Sequence, residues 1–177
     1  MYEEPAKTLV AWMKVVFLTV LIALAARQFL FEPVAVHGKS MMPTIEENDK
    51  IVISKISRID NFDLIVFVAP DHKNLIKRVI GIPGDRIEMK EDHLYINGQL
   101  KEEPYLKQNR IEAVQKGYSR LTEDMVEFTI PSGCYYVMGD NRLNSIDSRM
   151  LGFIQEEDIV GEVKFRIGPA EHAGMIE

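Results

Sequence analysis

Leu75-Ile76-Lys77-Arg78-Val79-Ile80-Gly81-Ile82-Pro83-Gly84-Asp85 sets two adjacent cations inside a run of branched apolar residues and closes on a turn. Branched side chains lose rotamer freedom in a helix but pack well on a pleated surface. Pro83 fixes its own φ, and Gly84 accepts the unusual dihedrals of a turn. The stretch predicts a strand over residues 77–81 that ends at 83–85. Short runs of the same kind lie on both sides of it, at 50–54, 64–68, 85–89, 93–96, 126–130, 134–138 and 159–167. Pro70-Asp71 and Pro131-Ser132-Gly133 read as turns, and Asn97-Gly98 between Leu94-Tyr95-Ile96 and Gln99-Leu100 reads as a hairpin. Many short strands with few helical runs imply a mainly β body of antiparallel strands, sheet-like or barrel-like.

Residues 33–98 and 126–169 make up this body. Residues 99–125 are charged, contain Pro104 and Gly117 and carry little strand pattern, so they read as a small inserted segment on the surface. At 177 residues with 46% hydrophobic content, the chain can bury one good core and a small satellite subdomain. A formal charge of −6 argues against nucleic acid as a partner, because phosphate binding needs a basic face. Cys134 is the only cysteine, which excludes an intramolecular disulfide and a cysteine zinc cluster. His37, His72, His93 and His172 show no close metal-ligand spacing. No metal and no cofactor is expected.

Ahead of the body, residues 9–26 carry one charge, Lys14, and residues 15–26 are apolar apart from Thr19. A stretch of about 18 residues just reaches across a bilayer core. Lys14 lies near its N-terminal end, where a long side chain can reach the headgroups, and Trp12 suits the interface. Lys7 and Lys14 ahead of the main apolar run favour residues 1–8 in the cytoplasm and the body outside. A cleavable signal peptide is the rival reading, since Ala23-Leu24-Ala25 has the small-x-small form of a cleavage site. No helix breaker precedes that site, and Gln28-Phe29-Leu30-Phe31 continues the apolar pattern, which favours one retained transmembrane helix.

Behind this anchor come three polar, glycine-bearing segments: Gly38-Lys39-Ser40-Met41-Met42-Pro43-Thr44, then residues 75–85, then Met138-Gly139-Asp140-Asn141-Arg142-Leu143-Asn144-Ser145-Ile146-Asp147-Ser148-Arg149. From the residues alone, a serine nucleophile served by a buried lysine is the simplest chemistry they carry. A hydroxyl needs a base to take its proton, and a lysine can be that base only where burial favours its neutral form. No histidine stands in a comparable motif, which disfavours a Ser-His-Asp triad. Together, in this order, the segments resemble type I signal peptidase, the membrane-bound serine protease that removes signal peptides from exported proteins. The single short anchor resembles its Gram-positive members. The resemblance covers most of the chain and is weakest over 86–130.

That resemblance implies Ser40 as nucleophile and Lys77, the first of the Lys77-Arg78 pair, as general base. Strand alternation puts Arg78 on the opposite face, one side chain pointing in and the other out. Ser145 and Asp147 match the positions that orient the lysine and support the site, and Asp140 and Arg149 match a structural salt bridge beside it. Some relatives place a serine hydroxyl two residues before the nucleophile to hold the oxyanion. Here that residue is Gly38, which leaves the Ser40 N–H to act with a backbone donor near Gly38 or with water. The implied partners are secretory preproteins with small residues one and three positions before the cut, and membrane phospholipid. Phe29, Leu30 and Phe31 with Met41 and Met42 are expected to form an exposed patch that enters the interface. Two other readings compete. A self-cleaving repressor-type protease would be soluble and carry a DNA-binding helical module. A membrane-tethered β binding module would have lost catalysis, against which an intact Ser40 and Lys77 argue.

Overall fold

Leu64-Ile65-Val66-Phe67 is apolar and buried at every position because it lies in the middle of a sheet covered on both faces. The structure, a computed structural model, describes residues 5–176, with the side chains of all of these except 5–7 and 25–31. Helix α1 (Pro5–Leu30) runs directly into strand β1 (Phe31–Ala35), and β2 (Lys50–Ser54), β3 (Leu64–Val68) and β4 (Asn74–Gly81) follow. A hairpin pair, β5 (Arg86–Lys90) and β6 (His93–Ile96), then leads to β7 (Gln99–Lys101). Helix α2 (Lys107–Gln115) separates β7 from β8 (Met125–Thr129) and β9 (Cys134–Met138). The chain ends with α3 (Ser148–Leu151), β10 (Ile154–Gln155), the long β11 (Ile159–Gly168) and β12 (Gly174–Met175).

Two antiparallel sheets result. One has the order β1-β2-β11-β3-β4-β9-β10, with β12 also on β11, and the other has the order β7-β6-β5-β8. Period-two alternation sorts the larger sheet's side chains into two cores. Leu64 and Val66 join Ile51, Ile53 and Val163 on one face, while Ile65 and Phe67 join Val79 and Val137 on the other. The smaller sheet packs Ile87, Met89, Leu94 and Ile96 against Ile80, Tyr136 and Met138. The mainly antiparallel β body follows the patterning, and β4 begins three residues earlier than the branched run alone implies. β1 is an added strand. Its Glu32-Pro33 interrupts the apolar pattern, which an edge strand tolerates because one side of it makes no ladder bonds.

The described side chains of α1, residues 8–24, are all exposed, and Leu9, Trp12 and Phe17 are bare over more than half their surface. Among the described residues no helix is long and apolar enough to cross a membrane. Residues 1–4 of the expected cytoplasmic segment, and the side chains of Phe29, Leu30 and Phe31, lie outside what is described. The expected apolar patch is corrected at Met41, which is 3% exposed and packs beside Ile45 and Ile51 in the core. Residues 99–125 do more than cover a surface. A short turn, Pro104–Leu106, and α2 build a satellite core of Leu106, Ala113 and Leu121, and they bury the polar residues Glu103, Asn109 and Thr122.

Candidate active site

Ser40 sits in the turn that follows β1, next to Gly38, whose φ of +96° is left-handed backbone that a side chain would strain. Lys77 comes from the middle of β4, opposite Ile65 of β3. The two meet with Lys77 Nζ 2.8 Å from Ser40 Oγ. Lys77 is 2% exposed, and its Nζ also donates to the Ile76 carbonyl at 2.9 Å. Burial pulls its pKa down to about 8, while the Asp147 and Asp140 carboxylates hold it up. Roughly a tenth of the lysine is therefore neutral at pH 7, enough to serve as a base. In that form the nitrogen can accept from the serine hydroxyl while one N–H still serves the Ile76 carbonyl.

A loop after β9 holds the serine turn in place. Asn141 N–H donates to Ser40 O at 2.9 Å, Asn141 Nδ2 donates to Lys39 O at 3.1 Å, and Thr44 Oγ1 donates to Asp140 Oδ2 at 2.5 Å. Gly139 makes this approach possible. A Cβ there would stand 2.6 Å from Ser40 O and 2.7 Å from Ser145 Cβ, closer than real contacts allow. Asp147 is fully buried and receives Gly139 N–H at 3.0 Å and Arg149 Nε and Nη2 at 2.8 Å each. Burial would raise its pKa, but Arg149 and the Gly139 amide outweigh burial and hold it below the usual carboxylate range.

Three expectations are corrected here. Asp140 and Arg149 do not pair with each other. Asp140 binds Arg78 through Nε at 3.0 Å and Nη2 at 2.8 Å, because Arg78 lies opposite Met138 in the β4–β9 register, two residues from Asp140. Arg149, in the first turn of α3, folds back instead on Asp147, the residue that caps that helix. Nor does Arg78 point outward to solvent. It is 2% exposed, donates to Phe62 O at 2.8 Å and lies 4.0 Å from the centre of the Tyr105 ring, since the inserted segment covers that face of β4. Finally, no hydrogen bond joins Ser145 to Lys77. Ser145 packs against Gly139 with its Oγ buried, and the Ile76 carbonyl directs the lysine.

Sequence reasoning missed the polar residues that reach this loop from the inserted segment. Arg142 is buried with Nη2 on Glu103 Oε1, Nη1 on Thr122 Oγ1 at 3.0 Å and Nε on Gly139 O at 3.1 Å. Asn109 Nδ2 donates to Met42 O at 2.9 Å and to Asp140 O at 2.8 Å. A charged stretch with a weak pattern reads as solvated, and nothing local in it announces these long-range partners. Two cavities share Ser40 and Lys77. One, of about 360 Å³, is lined by Val36, Met41, Val66 and Leu75; the other, of about 700 Å³, by Leu143, Ser145, Ile146 and Met150. No histidine among the described residues hydrogen-bonds to Ser40.

Comparison with known proteins assigns the chain to a family. The family described as signal peptidase, peptidase S26, matches residues 9–168. Signal peptidase I T of Bacillus subtilis (strain 168) is 43% identical over 173 residues, covering 94% of this chain and 89% of that protein. Signal peptidase I of Bacillus caldolyticus is 44% identical over 160 residues, covering 86% and 88%. The crystal structure of a signal peptidase I from Enterococcus faecalis V583 superposes with a TM-score of 0.55 at 36% identity, covering 60% of this chain and 97% of that one.

Proposed function

We infer the function of this chain, which belongs to the signal peptidase family, peptidase S26, from that membership and from the contact between Ser40 and Lys77. It is a serine endopeptidase that removes signal peptides from exported preproteins. In the mechanism we propose, neutral Lys77 takes the Ser40 proton as Oγ attacks the scissile carbonyl, and the new C–O bond places negative charge on the carbonyl oxygen. The Ser40 N–H, which donates to no acceptor among the described residues, supports one side of that oxyanion. The Lys77 ammonium then protonates the leaving amine as the C–N bond breaks. Water repeats the sequence on the acyl-enzyme, with Lys77 again accepting and returning the proton. The cavity beside Ser40 is read as the seat of the small side chain that family membership implies before the cut, and an extended peptide is read as an added strand there.

The acid limb of the rate tests the base. Because the protonated form cannot accept a proton, kcat/KM should fall about tenfold per pH unit below about 8 and level off above it. Purified full-length protein in detergent, given one secretory precursor, should release a product whose new N-terminus follows a small residue. A limb that disappeared on replacing His37 by Gln would rule out Lys77. A precursor left intact, with no labelling of Ser40 by a serine-acylating probe, would favour the tethered binding module.

Helix α1 is read as the membrane anchor, with the N-terminus in the cytoplasm and the β body outside. Its support is the exposure of Leu9, Trp12, Phe17 and Leu24, which no part of the body covers and which need an apolar surrounding. Deleting residues 1–26 should leave cleavage of short soluble peptides intact and slow the processing of membrane-inserted precursor. Equal rates on both substrates would remove the anchor from the mechanism.

A further inference from the structure

We propose that Asn109, on the inserted segment, is a positioning residue for the nucleophile, an inference that rests on the reading of Ser40 as nucleophile and Lys77 as base. Asn109 is 7% exposed, and its one amide nitrogen serves two carbonyls from distant parts of the chain, Met42 O and Asp140 O. Two carbonyls cannot bond each other, so a group with two donors on one atom must stand between them. Met42 is two residues past Ser40, and Asp140 opens the loop whose next N–H already holds the Ser40 carbonyl. The carboxamide thus sets the spacing between the serine turn and that loop from outside the two cavities that share Ser40 and Lys77.

The other side of the bridge is fixed. Asp140 is clamped by Arg78, and Gly139 by Asp147. Asn109 itself rides on α2, which is anchored through Ala113 and Leu106, with Glu103 on Arg142. Asn141 and Thr44 hold the serine turn to the same loop, and Asn109 braces it at Met42, so an error in its place falls on the 2.8 Å separation of Ser40 Oγ from Lys77 Nζ. The inserted segment therefore belongs to the catalytic geometry although none of its residues touches the reacting atoms.

The test is Asn109→Ala in the full chain, assayed on a peptide substrate with circular dichroism recorded on the same sample. Losing the bridge should lower kcat about 10- to 100-fold with KM within about twofold, the size expected of a misplaced catalytic group. Asn109→Ser, whose shorter side chain stops short of the amide nitrogen's place, should lose rate much as the Ala variant does. Unchanged kcat in the folded Ala variant, or a change confined to KM, overturns the proposal, as does a loss that tracks only the unfolded fraction. If Asn109→Ala does not fold at the assay temperature, a folded Asn109→Ser with wild-type kcat overturns it equally. Ser40→Ala is run alongside: full activity there would sink the nucleophile assignment, an outcome separate from any result at Asn109.

Discussion

Ser40→Ala and Lys77→Ala should each abolish precursor cleavage, lowering kcat by about 10⁴-fold or more, and the double variant should be little worse than either, because the two groups are proposed to act as one unit. Near-wild-type turnover in Lys77→Ala would end the dyad assignment. The stability effect runs the other way. Lys77 is almost wholly buried, and its pKa moves from 10.5 to about 8 chiefly through desolvation. Below about pH 8 the lysine is charged both folded and unfolded, and the folded state carries the full cost of burying the charge. Between pH 8 and 10.5 the folded lysine sheds its proton first, and the cost disappears. Lys77→Met, similar in volume and without charge, should therefore be more stable than the wild type by about 3 kcal/mol at pH 7, with the gain fading as pH approaches 10.5. Thermal unfolding at both pH values, beside the cleavage assay, checks the loss of rate and the gain of stability together.

Arg142→Ala should be among the most destabilising single changes in the body. Arg142 and Glu103 have side chains 0% and 1% exposed and face each other across the junction of the inserted segment with the catalytic loop. Removing the arginine takes the nearest cation from the buried Glu103 carboxylate, which keeps only the Tyr105 hydroxyl and a longer contact with Arg110, leaves the Gly139 carbonyl without its donor and costs about 3–5 kcal/mol. Converting both partners to apolar residues of similar volume, as in Arg142→Met with Glu103→Leu, should recover most of that loss. A denaturant titration of the two singles and the double measures the coupling. Additive losses would mean that the pair does not act as a pair.

The strands were legible because their residues obey a local rule. Residues 50–54, 64–68, 93–96 and 134–138 alternate or run apolar between turn residues, and the ladder boundaries coincide with those runs. Ser40 and Lys77 were legible as chemistry, a hydroxyl after a glycine turn and an amine inside a branched strand. What the sequence concealed was pairing at a distance. Arg78 could bind Asp140 only once β9 was laid beside β4, and nothing in the inserted segment separates Glu103 and Asn109, which are buried, from Glu102 and Gln108, which are solvated. Met41 shows the same limit, since an apolar residue beside a nucleophile fits a core as well as a membrane patch.

β4 makes this protease intolerant of a register slip in one particular place. Its register sets Lys77 against Ile65 and Arg78 against Leu64 and Met138. A slip of one residue that brought Arg78 to Ser40 would put a guanidinium, which keeps its proton at any pH the enzyme meets, in the place of the base; it would also set Val79 where Arg78 had been and leave Asp140 without its two-pronged partner. Composition and net charge would both survive such a slip, although each side chain of the strand would change face. Chain-length variation is thus far better borne in the exposed turn at 71–73, just ahead of the strand, than at 75–78 within it. The order of two like charges in one strand separates a working protease from a folded protein without a base.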